Sequence, residues 1–318
     1  MLNWILILVI IVLVLVAAVF AVAWVLIRMT FVRNAAMDQG IDPGDSPAWQ
    51  EYYRYAKKGI TWIESQPLEK CESTSFDGLK LRGVFLPAEA ETKRTIVCIH
   101  GYKTYGCYDC GAMAPFLHSL GWNLLIPDDR AHGKSEGKYI GFGNLDSQDC
   151  LTWCRWLTDR MGNDCKIVLY GISMGAASVL SAAGDPKAPE QISGVVADCG
   201  FSSGWEEVRM QLKNQFHLPS FPLLPAADFV MRRAAGYSLK GRAPIDRVAD
   251  IHVPLLIIHG KSDDFVPASM GEELFAAAGS EDKHFLSVEG AVHAHSYITA
   301  TDKYEEAFRE LISKSDRR

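Results

Sequence analysis

The chain has 318 residues, 48% of them apolar and 22% charged, and its formal net charge is −6. This composition excludes a disordered, collagen-like or coiled-coil chain, and the length is sufficient for one large α/β domain. The acidic balance and the absence of a dense Lys/Arg run argue against nucleic-acid binding, because phosphate neutralisation requires a basic surface.

An uncharged apolar segment occupies residues 1–27. As a helix, residues 4–27 would be about 36 Å long, whereas the hydrocarbon core of a bilayer is about 30 Å thick. A cleaved signal peptide is the alternative, because Ala21-Val22-Ala23 resembles a cleavage site. However, no basic residue precedes the segment, and the segment is longer than the apolar core of a signal peptide. We therefore expect residues 1–27 to form an uncleaved transmembrane anchor.

Charged residues and cysteines bear on the side of the membrane that the rest of the chain occupies. Arg28 and Arg33 follow the apolar segment, and this positive charge favours a cytoplasmic location. The eight cysteines would instead allow four disulfides in an extracytoplasmic domain, which is the alternative. Several cysteines lie in apolar runs, where free thiols pack as small hydrophobic groups. Cys107 and Cys110 form a single CxxC pair with no second pair at zinc spacing, so we expect neither a metal site nor an organic cofactor.

Residues 28–70 are expected to form a neck between the anchor and the domain. Apolar residues recur there at helical spacing, with Lys57 and Lys58 between them: Trp49, Tyr52, Tyr53, Ala56, Ile60 and Ile63. This pattern predicts an amphipathic helix that packs on the domain, and a helix lying on the membrane surface is the alternative. Downstream, Asp77-Gly78 indicates a hairpin turn, because glycine readily adopts the positive φ that such a turn requires.

Short apolar runs alternate with longer amphipathic stretches over residues 71–318. This alternation predicts an α/β domain whose mainly parallel sheet is covered by helices on both faces. The candidate strands are 95–100, 122–127, 166–170, 194–198, 254–259 and 284–288. Residues 201–247 interrupt the alternation and contain several prolines. We expect them to form a helical cap over the carboxyl edge of the sheet, where ligands bind in open α/β folds.

The segment Gly171-Ile172-Ser173-Met174-Gly175 matches the GxSxG pattern, which occurs too often by chance to be decisive alone. Its context is more specific, because an apolar strand-like run precedes it and a helix-like run follows it. In this setting a serine is held on a sharp turn with its Oγ exposed, so we predict that Ser173 is a nucleophile. The predicted oxyanion donors are the backbone N–H groups of Met174 and of Tyr102, which follows an early strand.

A serine nucleophile needs a histidine base, and the base needs an orienting acid. Both are expected after the serine, with the acid preceding the histidine. Asp263 and Asp264 follow one predicted strand, and Asp198 ends another. His293 and His295 follow the last predicted strand. Residue spacing alone leaves the choice among these acids and between these two histidines open.

Taken in order, these motifs resemble those of the α/β-hydrolase superfamily, and specifically of bacterial membrane-anchored hydrolases near the serine aminopeptidase and prolyl-oligopeptidase-like branches. The resemblance runs from about residue 74 to the C-terminus. It passes through His100-Gly101-Tyr102, residues 129–135, the Ser173 turn, residues 218–228, residues 259–267 and residues 289–297. In that family the acid lies in an HGxxDxxVP pattern, which implies this role for Asp263. The base lies in an HxxSY segment, which implies this role for His293.

Together these residues predict a serine hydrolase that cleaves small-molecule carboxylic esters through an acyl-enzyme on Ser173, with His293 as base and Asp263 as orienting acid. The first alternative is an aminopeptidase or other amide hydrolase with the same triad, in which Glu206 or Glu207 would bind a free amino terminus. The second is a non-catalytic, membrane-tethered binding protein, which would be expected to lack a triad member. Cap residues that would line an acyl pocket or fill the core of the cap are Trp205, Phe216, Phe221, Leu223, Leu224 and Phe229.

Overall fold

The computed structural model describes residues 2–38 and 44–317, which are built around an eight-stranded sheet. Its strands are β1 Glu69–Thr74, β2 Lys80–Leu86, β3 Arg94–Ile99, β4 Asn123–Pro127, β5 Lys166–Ile172, β6 Ile192–Asp198, β7 Leu255–Gly260 and β8 Lys283–Val288. They lie in the order β1-β2-β4-β3-β5-β6-β7-β8. All neighbours from β4 to β8 along this order pair in parallel, whereas β1 with β2 and β2 with β4 pair antiparallel. The mainly parallel sheet agrees with the prediction.

Helices cover both faces of this sheet. The helices of the described residues are α1 Leu2–Thr30, α2 Pro47–Glu64, α3 Gly106–Gly111, α4 Ala114–Ser119, α5 Leu145–Met161, α6 Met174–Ala183, α7 Gly204–Asn214, α8 Ser220–Ala234, α9 Ala268–Ala277, α10 Ser296–Thr299 and α11 Thr301–Asp316. Side chains of β3 alternate between two apolar cores: Val97 packs with α5, α6 and α9, and Ile96 packs with α4 and α11. The central strands are therefore apolar on both faces, as a doubly covered sheet requires.

The neck contains α2, which packs on the domain as predicted. Ser46 caps its first turn by accepting a hydrogen bond from the Trp49 N–H at 3.5 Å. The buried face of α2 crosses α3 where Gly59 meets Gly111: a Cβ atom on Gly59 would lie 1.9 Å from the Gly111 carbonyl oxygen. Only glycine permits this approach of the two backbones, so α2 lies directly against the domain.

The long apolar helix α1 extends past residue 27, the end of the predicted anchor, to Thr30. Residues 3–30 are long and apolar enough to cross a membrane, with a mean hydropathy of 3.7 in their most apolar window, none of which is buried. The C-terminal part of α1 behaves differently, because Ala23 and Ile27 are buried against the cap residues Leu224 and Met231 of α8. One end of the apolar helix is thus a packed element of the domain.

Candidate active site

Ser173 lies on a sharp turn between β5 and α6. Its backbone has φ 56° and ψ −115°, a strained conformation for a residue with a side chain. The flanking glycines permit the turn, because a Cβ on Gly171 would lie 2.3 Å from the Gly175 carbonyl oxygen. A Cβ on Gly175 would lie 2.1 Å from the Ile99 carbonyl oxygen. The local sequence therefore builds the strand-turn-helix arrangement that exposes a serine hydroxyl at the carboxyl edge of the sheet.

Three of the predicted site residues meet at this turn. The Nε2 atom of His293 lies 2.9 Å from Ser173 Oγ, and the Nδ1 atom of His293 lies 2.7 Å from Asp263 Oδ2. With the neutral tautomer that carries its proton on Nδ1, His293 donates to Asp263 and accepts from the Ser173 hydroxyl. All three side chains are at least nine-tenths buried, so this hydrogen-bonded series is largely screened from water.

Asp263 is held in the loop after β7 by four groups. Its Oδ1 accepts hydrogen bonds from the backbone N–H groups of Phe265 at 3.0 Å and Val266 at 2.9 Å. Nε2 of His259 lies 3.5 Å from Oδ2, the oxygen that faces His293. Burial by itself raises the pKa of Asp263, but the hydrogen bonds from His259 and His293 and the N–H of Val266 outweigh it, and the pKa falls to about 2. The carboxylate is therefore ionised at neutral pH.

The contact with Asp263 that lowers the pKa of the carboxyl group raises the pKa of the His293 imidazole. Burial alone lowers the pKa of its imidazole, but the hydrogen bond and the negative charge of Asp263 raise it, with a further contribution from Glu207. The net result is a pKa of His293 above its ordinary value. Such an imidazole is a stronger base than a free histidine and gains a proton at a higher pH.

The remaining candidates have other partners. Asp264 is exposed, next to the buried Asp263. Asp198 accepts a hydrogen bond from the Tyr304 hydroxyl at 3.0 Å, and burial raises the pKa of Asp198 to about 6. His295 faces away from the serine, because its Nδ1 lies 2.7 Å from the His293 carbonyl oxygen and its Nε2 lies 2.8 Å from the carbonyl oxygen of Ala48. His295 thus joins the site to the start of α2.

The segment after β3 carries one of the two predicted oxyanion donors. It runs beside Ser173, since a Cβ on Gly101 would lie 3.4 Å from Ser173 Cβ. Among the described residues, no hydrogen bond uses the backbone N–H of Tyr102 or of Met174. The residue that fixes this segment is Asp109, which sequence reasoning missed although it lies within the CxxC segment. Its Oδ2 accepts hydrogen bonds at 2.6 Å from the Gly101 N–H and from the Thr104 hydroxyl.

Two cavities meet at Ser173. The first is lined mostly by apolar side chains and encloses about 820 Å³ of atom-free space, part of it open to solvent: Leu26, Ile27, Phe31, Phe142, Phe201, Val208, Leu212, Phe216, Leu223 and Phe265 are among its residues. The second lies on the His293 side of the serine and is lined by Trp49, Tyr52, Gly101, Lys103, Thr104 and Asp109, among others. Ser173 therefore borders two cavities. Polar side chains make up a larger share of the residues around the second, although most of the lining surface of both cavities is apolar.

The six cap residues that were predicted to line an acyl pocket or to fill the core of the cap lie in three different environments. Phe216 and Leu223 line the first cavity. Trp205 and Leu224 pack inside the cap. The expectation for the two remaining residues was wrong, because Phe221 and Phe229 are 79% and 50% exposed and belong neither to the cavity nor to the interior of the cap. These two side chains lie on the outer surface of α8.

Of the two acidic cap residues, Glu207 reaches the first cavity. It is 1% exposed, and its Oε1 accepts a hydrogen bond from Gln211 Nε2 at 2.7 Å. Its Oε2 has no hydrogen-bond partner among the described residues, and burial raises the pKa of Glu207 to about 7. Glu206 instead forms a surface ion pair with Arg209 at 2.6 Å.

One group of potential metal ligands occurs in the described part of the chain. Potential ligand atoms of Cys199, Asp263 and His293 lie within 4.8 Å of one another. Two of these residues already hydrogen bond to each other, and burial raises the pKa of Cys199 well above its ordinary value, so its thiol is protonated and a poor ligand. These three side chains are therefore better suited to the hydrogen bonds described above than to binding a metal ion. All eight cysteines are free thiols.

The arrangement of sheet, turn and cap defines this protein as an α/β hydrolase. The esterase Pf2001 of Pyrococcus furiosus has a similar structure, with a TM-score of 0.64 and 22% identity over 79% of this chain and 94% of that one; at this identity the likeness concerns the fold. More particularly, the chain belongs to the serine aminopeptidase S33 family, whose model matches residues 90–218 and 222–296.

Two relatives show how widely such chains occur. The Bacillus subtilis protein YqkD is 31% identical over 252 residues, which cover 78% of this chain and 81% of that protein. The human alpha/beta hydrolase domain-containing protein 17B is 23% identical over 255 residues, covering 79% and 77% of the two chains. The family assignment agrees with the resemblance inferred from the sequence motifs.

Proposed function

We propose that the protein is a serine hydrolase that cleaves carboxylic esters, with Ser173 as nucleophile, His293 as base and Asp263 as orienting acid. The observation that carries this proposal is the continuous hydrogen-bonded series from Asp263 through His293 to Ser173, at a point where an apolar cavity opens. A serine hydroxyl in this setting gains the base that it lacks in water.

In the proposed first step, Ser173 Oγ forms a bond to the ester carbonyl carbon while its proton passes to His293 Nε2. The negative charge that develops on the carbonyl oxygen is stabilised by the N–H groups of Tyr102 and Met174. The bond from carbon to the alcohol oxygen then breaks, and His293 returns the proton to the leaving alcohol. Water repeats the sequence on the acyl-enzyme and releases the carboxylic acid. The ionised Asp263 stabilises His293 while the imidazole carries the extra proton.

An amide substrate is the second candidate, and the unpartnered Oε2 of Glu207 favours it, because a carboxylate at this position would accept hydrogen bonds from a substrate ammonium group. The burial of Glu207 argues for the ester. With a pKa of about 7 the side chain is largely neutral in mildly acidic solution, and an uncharged acid suits an apolar ligand better than a cation.

Comparing nitrophenyl esters with aminoacyl nitroanilides separates the two substrates. We expect kcat/KM for the esters to exceed that for the anilides by at least about 100-fold, because Glu207 is largely neutral in mildly acidic solution and would bind a substrate ammonium group weakly. Glu207→Gln should change the ester rate by less than about threefold, as should the matched surface variant Glu206→Gln. Faster cleavage of the anilides, lost in Glu207→Gln and kept in Glu206→Gln, would establish the aminopeptidase instead. A protein that cleaves neither substrate and takes up no covalent serine probe would be the non-catalytic binding protein.

The pH profile of ester hydrolysis tests the role of His293. Because only the neutral imidazole accepts the serine proton, and because Asp263 raises the pKa of His293, kcat/KM should fall with unit slope as the pH decreases through a value above 6.5. In Glu207→Gln the midpoint of this limb should move slightly to lower pH, because the ionised fraction of Glu207, which raises the pKa of His293, is removed. The measurement is kcat/KM for a nitrophenyl ester between about pH 5 and 9. A flat profile over this range would contradict the assignment of His293 as base.

We further propose that α1 anchors the protein in a membrane, with the hydrolase domain on the cytoplasmic side. The length and exposure of α1 support the anchor, and the positive charges of Arg28 and Arg33 support the orientation. The burial of Ala23 against the cap supports a helix that is retained, because cleavage at the Ala21-Val22-Ala23 site would remove this contact.

A further inference from the structure

The membrane helix forms one wall of the cavity that opens at Ser173. Leu26, Ile27, Thr30 and Phe31 line this cavity together with Ser173 itself, opposite residues of α7 and α8. A helix that served only as a tether would have no reason to reach the nucleophile. Here the last turns of α1 are part of the binding site.

The contact between α1 and the domain is fixed by hydrogen bonds. The Tyr102 hydroxyl donates to the Thr30 carbonyl oxygen at 2.6 Å, and Lys103 Nζ donates to the Met29 carbonyl oxygen at 3.2 Å. These groups cap carbonyls that the end of the helix leaves without partners. Directly after the helix, the Ile140 N–H donates to the Phe31 carbonyl oxygen at 2.9 Å. The cavity therefore keeps a fixed position relative to the helix axis, and hence relative to the bilayer.

Tryptophans locate the bilayer along α1. Trp4 and Trp24 are 74% and 40% exposed, and their separation of 20 positions corresponds to about 30 Å of helix, the thickness of a hydrocarbon core. Tryptophan is enriched at both membrane–water boundaries. With one tryptophan at each boundary, Leu26 and Ile27 lie within about one helical turn of the boundary next to the domain. The cavity mouth is then at the depth of lipid headgroups and ester bonds.

The outer surface of α8 continues the apolar surface of α1 at this depth. The exposed ring of Phe229 contacts Phe20 of α1, with ring centroids 5.7 Å apart. Phe221 at the start of α8 is 79% exposed. At the other end, Arg232 and Arg233 are exposed, as is typical of residues facing lipid headgroups. Both walls of the cavity, α1 and the cap, thus present apolar side chains to the membrane.

We propose that the substrate is a long-chain acyl ester of a membrane glycerolipid, which enters the cavity from the bilayer without passing through water. This inference rests on the proposed esterase function and on the anchoring of α1. The acyl chain lies between α1 and the cap, among Leu26, Ile27 and Leu223, and the glycerol portion occupies the second cavity, where Lys103 and Thr104 offer polar groups. The bonds formed and broken are those of the ester hydrolysis described above, with the glycerolipid alcohol as leaving group.

The test uses the full-length protein in vesicles of an ether-linked phosphatidylcholine, which has no ester bond. Radiolabelled dioleoylglycerol and dioleoylphosphatidylglycerol are placed either in the same vesicles as the protein or in separate vesicles, and release of oleate is measured. A nitrophenyl butyrate assay of the same samples reports the esterase activity alone. We expect oleate release from at least one of the two lipids, and at least about tenfold faster release when lipid and protein share a bilayer.

Matched tryptophan variants test the role of α1. Leu26→Trp narrows the cavity and should lower oleate release at least about tenfold more than it lowers butyrate hydrolysis, because a four-carbon acyl group needs less of the cavity than an oleoyl chain. Val25→Trp is the control, because Val25 is the neighbouring residue, is 54% exposed and does not line the cavity. It should leave both rates unchanged. Retained butyrate hydrolysis shows that a variant is folded.

The outcomes separate this inference from the proposed function. If the unaltered protein showed neither oleate release nor butyrate hydrolysis, and if Ser173 were not labelled covalently, the esterase proposal would be refuted. The lipid substrate, which rests on that proposal, would be refuted with it. Butyrate hydrolysis without oleate release from either lipid would overturn the lipid substrate and leave the esterase intact. Equal rates of oleate release from shared and separate vesicles would overturn entry of the lipid from the bilayer. Equal effects of Leu26→Trp and Val25→Trp on oleate release would overturn the role of α1 as a wall of the cavity.

Discussion

Replacing Ser173 with alanine is expected to abolish covalent labelling by a fluorophosphonate and to lower kcat for ester hydrolysis by at least about 1,000-fold. The variant lacks the hydroxyl oxygen that lies 2.9 Å from His293 Nε2, so the proposed acyl-enzyme cannot form. Removing a hydroxyl at this turn leaves β5 and α6 intact. Probe labelling in a gel and steady-state hydrolysis of nitrophenyl butyrate measure the two effects.

Ser178→Ala is the matched control for this substitution. Ser178 lies one turn further along α6, is fully buried and donates to the Met174 carbonyl oxygen at 2.9 Å, away from His293. Its labelling should equal that of the unaltered protein, and its kcat should stay within about threefold. Labelling that persists in Ser173→Ala would show that another residue reacts with the probe and would refute the nucleophile assignment.

Asp263→Asn should lower kcat by about 1,000-fold or more, because the amide removes the charge that holds His293 in its active tautomer and stabilises the imidazolium. The loss should be accompanied by a shift of the pH limb to lower values, since Asp263 raises the pKa of His293 in the folded protein. Both effects are measured with nitrophenyl butyrate across the pH range. The protein should remain folded, because asparagine is nearly isosteric with aspartate.

Asp264→Asn provides an adjacent control with the same change of charge. Asp264 is exposed, so the substitution should alter kcat by less than about twofold. If the two variants lost activity equally, the net charge of the loop rather than the hydrogen bond to His293 would be responsible. If Asp264→Asn alone were inactive, the acid would have been assigned to the wrong residue.

The sharp turn at Ser173 was predictable because its determinants are local. Gly171, Ser173 and Gly175 lie within five residues between an apolar strand and a helix, and the steric need for both glycines follows from that geometry. The parallel sheet was predictable for a similar reason, since its strands read as short apolar runs. These features depend on neighbours in the chain and require no knowledge of distant contacts.

The choice between adjacent candidates was not predictable from spacing, because it depends on loop conformation. Asp263 turns inward because its carboxylate accepts two backbone hydrogen bonds from the following residues. Ala294 adopts a positive φ of 61°, which changes the direction of the chain between His293 and His295. Only the resemblance to known motifs distinguished these residues in advance.

The participation of α1 in the cavity had no signal in the sequence. The helix is apolar all round, so no face of it is marked as the one that packs on protein rather than lipid. The contact with α8 joins residues about 200 positions apart, and neither segment shows a pattern that indicates the other. Contacts of this kind become visible only in three dimensions.

The packing of α1 on the cap has a practical consequence for biochemical work. Deleting the N-terminal helix to obtain a water-soluble preparation would expose Leu224 and Met231, which pack against this helix. It would also remove one wall of the cavity beside Ser173 and open that cavity to solvent. Such a truncated preparation would aggregate, or would hydrolyse small soluble esters with little discrimination. Its substrate range would then describe a damaged enzyme, so purification in detergent or nanodiscs is the appropriate starting point for screening.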